Sequence, residues 1–245
     1  MKRMIENLKS LGMINLKVSF EDEGVSLEYF QYHSMVSSLY GLPMAIKVGG
    51  CEAKTDIDIA VGHGANKIVA PMIETRFAAQ KFINHVRKFE EPFKRYLLIE
   101  SITGINNVEN ILSDIDGLDG IVVGRSDLCG SLGLTKSDVD NDEVIVNVER
   151  AFIAAKQRGL NTIMGGSVSL KSTKPIKYLM SKKLLDCFET RKAVFRVGEK
   201  SNILEIIDKA LEFETHFIDG YTKKMQRRID ENNNRVSSLK LRRLK

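Results

Sequence analysis

Two carboxylates in this chain stand where apolar runs end. The stretch "YLLIES" (96–101) closes on Glu100, with Thr103 and Gly104 just beyond it. The stretch "GIVVGRSD" (120–127) passes through Gly124, Arg125 and Ser126 to Asp127. A buried strand that delivers a charge to the loop after it suits a site better than a core, and the repeated pattern points to one shared site. Neither carboxylate has a His or Cys close by in sequence. Such a pair suits a hard cation, because Mg²⁺ is held by one or two carboxylates with water and substrate oxygens completing its shell. Mn²⁺ is the alternative ion. A cation there would polarise the carbonyl of a 2-oxo acid and steady the enolate derived from it. Taken singly, each carboxylate is equally explained by an N-cap or a surface ion pair, so the argument rests on the pair.

These residues need a scaffold that gathers strand ends. Short apolar runs recur at 14–20, 44–50, 67–72, 96–101, 120–125, 161–166 and 186–191, and helical spacing fills 26–40, 74–90, 142–158 and 173–183. Alternating strands and helices predict a parallel sheet with right-handed crossovers. The runs are apolar on both faces, as strands between a core and a helix layer must be. A chain of 245 residues matches the roughly 250 of an α/β barrel, whose site lies at the C-terminal strand ends. An eighth strand is ambiguous. "AVFRV" (193–197) follows the seventh run after Lys192 alone, so either 186–197 is one bent strand or the first strand lies unmarked near the N-terminus.

The strand ends supply the candidate residues. Lys47 and Arg125 are the cations expected to meet a substrate acid, and Glu21 or Glu23 in "SFEDEG" is the candidate base, given a raised pKa. Gly49, Gly50, Glu52, Gly124, Ser126 and Gly166 are expected to contact substrate, the glycines by bare backbone and the amides near Asp127 by a helix start. Glu189 and Arg191 are expected to close the barrel as an ion pair, and His33 and His85 to be solvated.

Composition narrows the class. The hydrophobic fraction of 43% allows a full core, and no apolar run approaches the roughly 18 residues of a membrane span. Cys51, Cys129 and Cys187 are scattered and form no CxxC pair, which predicts structural thiols in a reducing, cytoplasmic setting. Residues 221–245 hold nine Lys or Arg against Asp230 and Glu231, while the rest of the chain carries a net charge of −2. We therefore expect one domain over 1–220, a basic tail over 221–245 that is helical or disordered, and no contact with nucleic acid or membrane. A long helix from residue 200, rich in Ile and Phe, is expected to pack on a neighbouring subunit of a homo-oligomer.

Three stretches together carry a resemblance: "KVGGCEA" with "GHGANKIVAPMIETRFAAQKFI" (47–83), "LLIESITGINNVENIL" (97–112) and "DGIVVGRSDLCGSLGL" (119–134). They resemble the HpcH/HpaI aldolase and citrate lyase β-subunit family. The resemblance implies a TIM (β/α)8 barrel, here with an extended C-terminal helix, that makes or breaks C–C bonds through an enolate of a 2-oxo acid or related carboxylic acid. It also implies Mg²⁺, or Mn²⁺, held by Glu100 and Asp127. Three positions depart from the pattern. Lys47 stands where the family has an Arg that contacts the oxo acid, and an ammonium lacks the bidentate fork. "SFEDEG" stands where the family carries a His of the base. Arg125-Ser126 stands where the family often has Pro, and Arg125 would take over the cationic role. The departures also allow a barrel that binds metal and oxo acid without turnover.

Overall fold

The computed structural model describes residues 1–90 and 92–243; Leu244 and Lys245 of the basic tail lie outside the described residues. Eight strands close into a barrel in chain order. They are β1 (Met13–Ser19), β2 (Met44–Lys47), β3 (Ala65–Ala70), β4 (Lys94–Ile99), β5 (Gly120–Gly124), β6 (Asn161–Gly165), β7 (Cys187–Glu189) and β8 (Ala193–Arg196). The outer layer holds α1 (Lys2–Ser10), α2 (Leu27–Tyr40), α3 (Lys54–Gly62), α4 (Arg76–Val86), α5 (Ile102–Asn106), α6 (Val108–Leu112), α7 (Arg125–Ser131), α8 (Asp142–Lys156), α9 (Thr173–Ser181) and α10 (Ile203–Arg243).

β1 to β7 run parallel, and β8 is antiparallel to both neighbours, pairing Phe195 with Phe188 of β7 and with Met13 of β1. This settles the ambiguity about the eighth strand differently from either expectation. Residues 186–197 fold as a hairpin turning through Thr190, Arg191 and Lys192, where the Thr190 amide donates to the Ala193 carbonyl at 2.9 Å. The first strand is the marked run near residue 14, and no helix lies between β7 and β8. The barrel is thus six β/α units closed by the β7–β8 hairpin.

The missing helix explains α10. Ile203, Ile206, Ile207, Ala210, Phe213 and Phe217 are fully buried against this chain's own barrel. The Phe217 ring lies 5.1 Å from Tyr32 and 4.8 Å from His33 of α2. The expectation that this stripe packs on a neighbouring subunit is therefore corrected: it covers the side of the barrel that the β7–β8 hairpin leaves without a helix. His33 is corrected too. It is buried, not solvated, and burial, with Lys192 beside it, pushes its pKa down to about 3. No described helix is long and apolar enough to cross a membrane.

Two shells of apolar side chains make the core. Leu, Ile and Phe residues on the outer strand faces meet the helices, and an inner plug is built from Ala45, Val69, Leu98, Val122, Ile163, Cys187 and Val194. Side chains alternate across a strand, so two residues past Ala45, Leu98, Val122, Ile163 and Cys187 of the parallel strands the barrel interior continues upward. Those positions hold Lys47, Glu100, Gly124, Gly165 and Glu189. The plug is apolar and the layer above it is polar or glycine, which places a site at the C-terminal rim.

Candidate active site

A cavity of about 210 Å³ opens at that rim. Its wall takes Lys17 and Ser19 from β1, Lys47 from β2, Glu100 after β4, Gly124 from β5, and Ser126 and Asp127 from α7. Glu23, Asp22, Lys136, Gly166, Ser167, Glu189, Thr190, Arg191 and Glu214 complete it.

Glu100 is the most constrained carboxylate. It is 4% exposed, and its Oε1 accepts the Met72 amide at 3.0 Å. Met72 has φ 55, a left-handed backbone that a side chain disfavours. That turn is what aims the amide at Glu100, so the strain is attached to the site. Burial pushes the Glu100 acid up to about 7; Lys47 opposes the rise and Asp127 adds to it by like charge. Ser101, the next residue, caps α5 by accepting the Gly104 amide at 3.1 Å, so the charge ends one element and its neighbour starts the next. Gly124 is needed at the facing position: a Cβ there would stand 2.8 Å from Glu100 Oε2.

Two adjacent carboxylates above an apolar plug offer only hard oxygen donors. No third His, Cys, Asp or Glu completes a cluster with them among the described residues. That donor set fits a Mg²⁺-type ion, which keeps several positions for water and substrate oxygens. The space that a Cβ at Gly124 would fill leaves Glu100 Oε2 reachable.

Three lysines face these acids. Lys47 lies 3.3 Å from Asp22. Lys17 is ion-paired with Glu189 across the barrel, and Lys136 reaches in from the loop after α7. The β7–β8 turn is held from α10. Glu214 Oε1 accepts the Lys192 amide at 2.6 Å, and burial raises the Glu214 acid against the Lys192 amide and the charges of Lys17 and Lys192.

Several expected residues stand elsewhere. Arg125 does not face the cavity. It is fully buried, ion-paired with Asp140, and donates to the carbonyls of Gly165 (3.1 Å), Val139 (3.2 Å) and Gly166 (3.0 Å). It is a clamp under the β6 loop, not a substrate cation, because it opens α7 on the side away from Asp127. Gly49, Gly50 and Glu52 also leave the cavity: after Lys47 the chain turns outward, the Gly49 amide donates to Asp56 at 2.7 Å, and Glu52 pairs with Lys81 at 2.7 Å on the surface. Glu21 is exposed and packs over Gly49. Glu23 does reach the cavity, tied to Lys192 and, at 3.9 Å, to Arg191. The expected Glu189–Arg191 pair is replaced by these two pairs, Lys17–Glu189 and Arg191–Glu23. Lys136 and Glu214 carry no sequence signal for the site, since each reaches it through an irregular loop or the α10 packing.

An α/β barrel with an acid pair and lysines at its C-terminal rim is the layout of an enzyme, and relatives place it. Residues 46–173 match the model of the HpcH/HpaI aldolase/citrate lyase family. Over 178 residues, spanning 57% of this chain and 70% of the relative, the chain is 30% identical to a hydroxypyruvate/pyruvate aldolase of Rhizorhabdus wittichii. An HpcH/HpaI aldolase from Desulfitobacterium hafniense superposes with TM-score 0.63 at 12% identity, covering 86% of this chain and 87% of the other. The citrate synthase SbnG superposes with TM-score 0.64 at 17% identity, covering 89% and 91%. These two likenesses are of fold. The chain belongs to the HpcH/HpaI aldolase/citrate lyase family, and its activity class is that of a carbon–carbon lyase.

Proposed function

We propose that the protein makes or breaks a C–C bond next to the carbonyl of a 2-oxo acid, through an enolate, with a divalent cation, Mg²⁺ or Mn²⁺, held by Glu100 and Asp127. The observation that carries this reading is the meeting of those two carboxylates in one cavity with Lys47. When bound, the cation would supply Lewis acidity at the substrate carbonyl. The chain's own residues supply the rest. Lys47 and Lys17 give the cavity positive charge that favours a carboxylate substrate. The apolar plug beneath keeps water from the floor and strengthens each charge contact.

In the cleavage direction, the hydroxyl proton of a 4-hydroxy-2-oxo acid passes to a carboxylate base. The C3–C4 bond then breaks, its electrons pass into the enolate, and the C4 carbon leaves as an aldehyde. Protonation of the enolate at C3 completes the 2-oxo acid. Glu23 is the proposed base, because it is a carboxylate that lines the cavity and is held in place by Arg191 and Lys192. A carboxylate in "SFEDEG" where the family pattern has a His of the base motivates the rival reading of a barrel that binds metal and oxo acid without turnover.

Exchange of pyruvate methyl protons in D₂O with Mn²⁺ or Mg²⁺ tests the proposal without knowledge of the aldehyde. Exchange that is lost in Glu100→Gln and Asp127→Asn is the expected result. Saturable pyruvate binding with no exchange at any pH would establish the rival, and undiminished Mn²⁺ binding by both variants would remove the metal assignment.

A further inference from the structure

Behind Glu23, away from the cavity, stands a row of buried polar groups that the proposed chemistry leaves unused. Lys192 in the β7–β8 turn and His33 of α2 are fully buried. The Lys192 ammonium is ion-paired with Glu23 Oε2, lies 3.4 Å from His33 Nε2 and stands 4.9 Å from the centre of the Tyr29 ring. His33 Nδ1 is 2.8 Å from the Tyr29 carbonyl oxygen. A carbonyl only accepts, so Nδ1 carries the ring proton and Nε2 turns its lone pair to the ammonium. Burial and the neighbouring charge keep this imidazole neutral, so it is a fixed acceptor for Lys192.

Lys192 is pinned along its backbone as well. Its amide donates to Glu214 Oε1 at 2.6 Å, and its carbonyl accepts the Lys17 amide at 2.8 Å. Glu23 lies in the turn after β1, where the Gly24 amide donates to the Glu21 carbonyl at 3.0 Å and the Val25 amide to the Phe20 carbonyl at 2.9 Å. Rotatable side-chain bonds separate its carboxylate from that turn, and left free they would scatter it over several rotamers. The pair with Lys192 removes that freedom. With Oε2 held by Lys192, Oε1 is the oxygen left to take a proton, and Arg191 stands 3.9 Å from it. Replacing a buried ion pair by apolar side chains is often neutral for stability, so an ammonium walled in at this depth points to a task beyond holding the fold.

We infer that Lys192, backed by His33, is a positioning residue that fixes Glu23 with Oε1 turned to the substrate. The inference rests on the reading of Glu23 as the base and adds what aims it. Neither Lys192 nor His33 lines the rim cavity, so both act through Glu23 and touch no substrate atom. Proton transfer requires the base within hydrogen-bond reach of the proton it takes, and a small misplacement is costly. A carboxylate free to swing spends much of its time out of reach. Losing Lys192 should therefore slow the proton step and leave pyruvate binding, which the same reading gives to Lys47 and the cation, as it was.

Exchange of pyruvate methyl protons in D₂O at saturating Mg²⁺ tests it through a cycle of variants of the full chain. Glu23→Gln should cut exchange sharply; a wild-type rate in that variant removes the base reading itself, and the inference with it. Lys192→Met should lower the maximal exchange rate by about tenfold, with KM for pyruvate and Mn²⁺ affinity unchanged. In the Glu23→Gln background, Lys192→Met should change the residual rate no further, because a residue that acts through the base has nothing to act on once the base is gone. That double variant strands no charge. His33→Leu runs the same cycle with the Lys192–Glu23 pair intact, so it reads out even where Lys192→Met alone fails to fold: a loss of rate by itself, and none beside Glu23→Gln. Equal fractional losses in both backgrounds overturn the inference and make the row structural. A wild-type rate in Lys192→Met or His33→Leu, or a loss that appears in KM instead of the maximal rate, overturns it while leaving Glu23 as the base.

Discussion

Lys17 of β1 and Glu189 of β7 form an ion pair that spans the reversed strand β8 inside the barrel. Both side chains are nearly buried, at 15% and 7% exposure. Burial pulls the Lys17 ammonium down, but the charge and hydrogen bond of Glu189 outweigh it and leave Lys17 above its ordinary range. Lys17 therefore stands ionised at neutral pH. The pair stitches the parallel sheet across the reversed strand.

Breaking one partner strands the other. Lys17→Met is expected to lower stability by about 3 kcal/mol, because an unpaired buried carboxylate is costly. Lys17→Met with Glu189→Leu is expected to recover most of that loss, since the desolvated charges leave together. Urea denaturation of the two variants checks this. A double variant as unstable as the single one would show that the pair's role is shape, not charge.

Arg125 predicts a different outcome from the substrate-cation role its position suggests. Removing it leaves Asp140 and the carbonyls of Gly165 and Gly166 without their donor. Arg125→Met is expected to cost about 3–5 kcal/mol, while Arg125→Lys keeps the charge, loses the fork and falls between. Thermal unfolding measures both. Wild-type stability in Arg125→Met would mean the clamp is dispensable.

On the proposed metal assignment, Glu100 links metal binding to pH. Its acid is raised from 4.5 to about 7 by burial, with Asp127 adding to the effect. A carboxyl with a raised folded pKa favours the folded state below its unfolded value. That contribution fades as pH climbs from about 4.5 through about 7, so in metal-free protein Glu100 should cost on the order of 3 kcal/mol at pH 8. Glu100→Gln should remove this pH dependence. A divalent cation must displace the proton, so Mn²⁺ affinity is expected to fall about tenfold per pH unit below about 7. Calorimetry across that range checks the slope, and a flat profile would place the metal elsewhere.

The parts of this barrel readable in sequence are those fixed by local pattern. β-branched runs such as "GIVVG" announce parallel strands, and Glu100 and Asp127 stand out because a charge after such a run has few core uses. Gly124 is readable for the same reason. The runs of β7 and β8 are readable as strands too, but the reversal between them is not, because three and four residues carry no mark of direction and a turn of Thr190, Arg191 and Lys192 looks like strand. Arg125 misleads because one residue separates a side chain facing the cavity from one facing the helix layer. Glu214 reaches the rim from α10 by way of tertiary packing, and no spacing signals that. The apolar stripe of α10 was legible as buried surface, but which barrel it buries depended on whether a helix followed β7.

On the proposed reading Lys47 joins the acids to the substrate, and its loss should therefore act twice. It opposes the rise of the Glu100 pKa, so Lys47→Met should raise that pKa further and weaken Mn²⁺ binding at neutral pH. It also removes a charge-assisted contact to the substrate acid, which is worth about 3 kcal/mol where water is excluded, or roughly a hundredfold in kcat/KM. The two effects separate by pH. Raising pH to about 9 returns Glu100 to its ionised form and should restore metal affinity, while pyruvate exchange stays depressed. Lys47→Arg keeps a cation near Glu100 and offers a carboxylate two parallel donors, so it should retain metal binding and recover a large part of the exchange rate. Asp22→Asn frees Lys47 from its 3.3 Å partner and should lower KM for pyruvate. If Lys47→Met exchanges pyruvate protons at the wild-type rate, the substrate carboxylate sits elsewhere in the rim, with Lys17 or Lys136 as the cation that meets it.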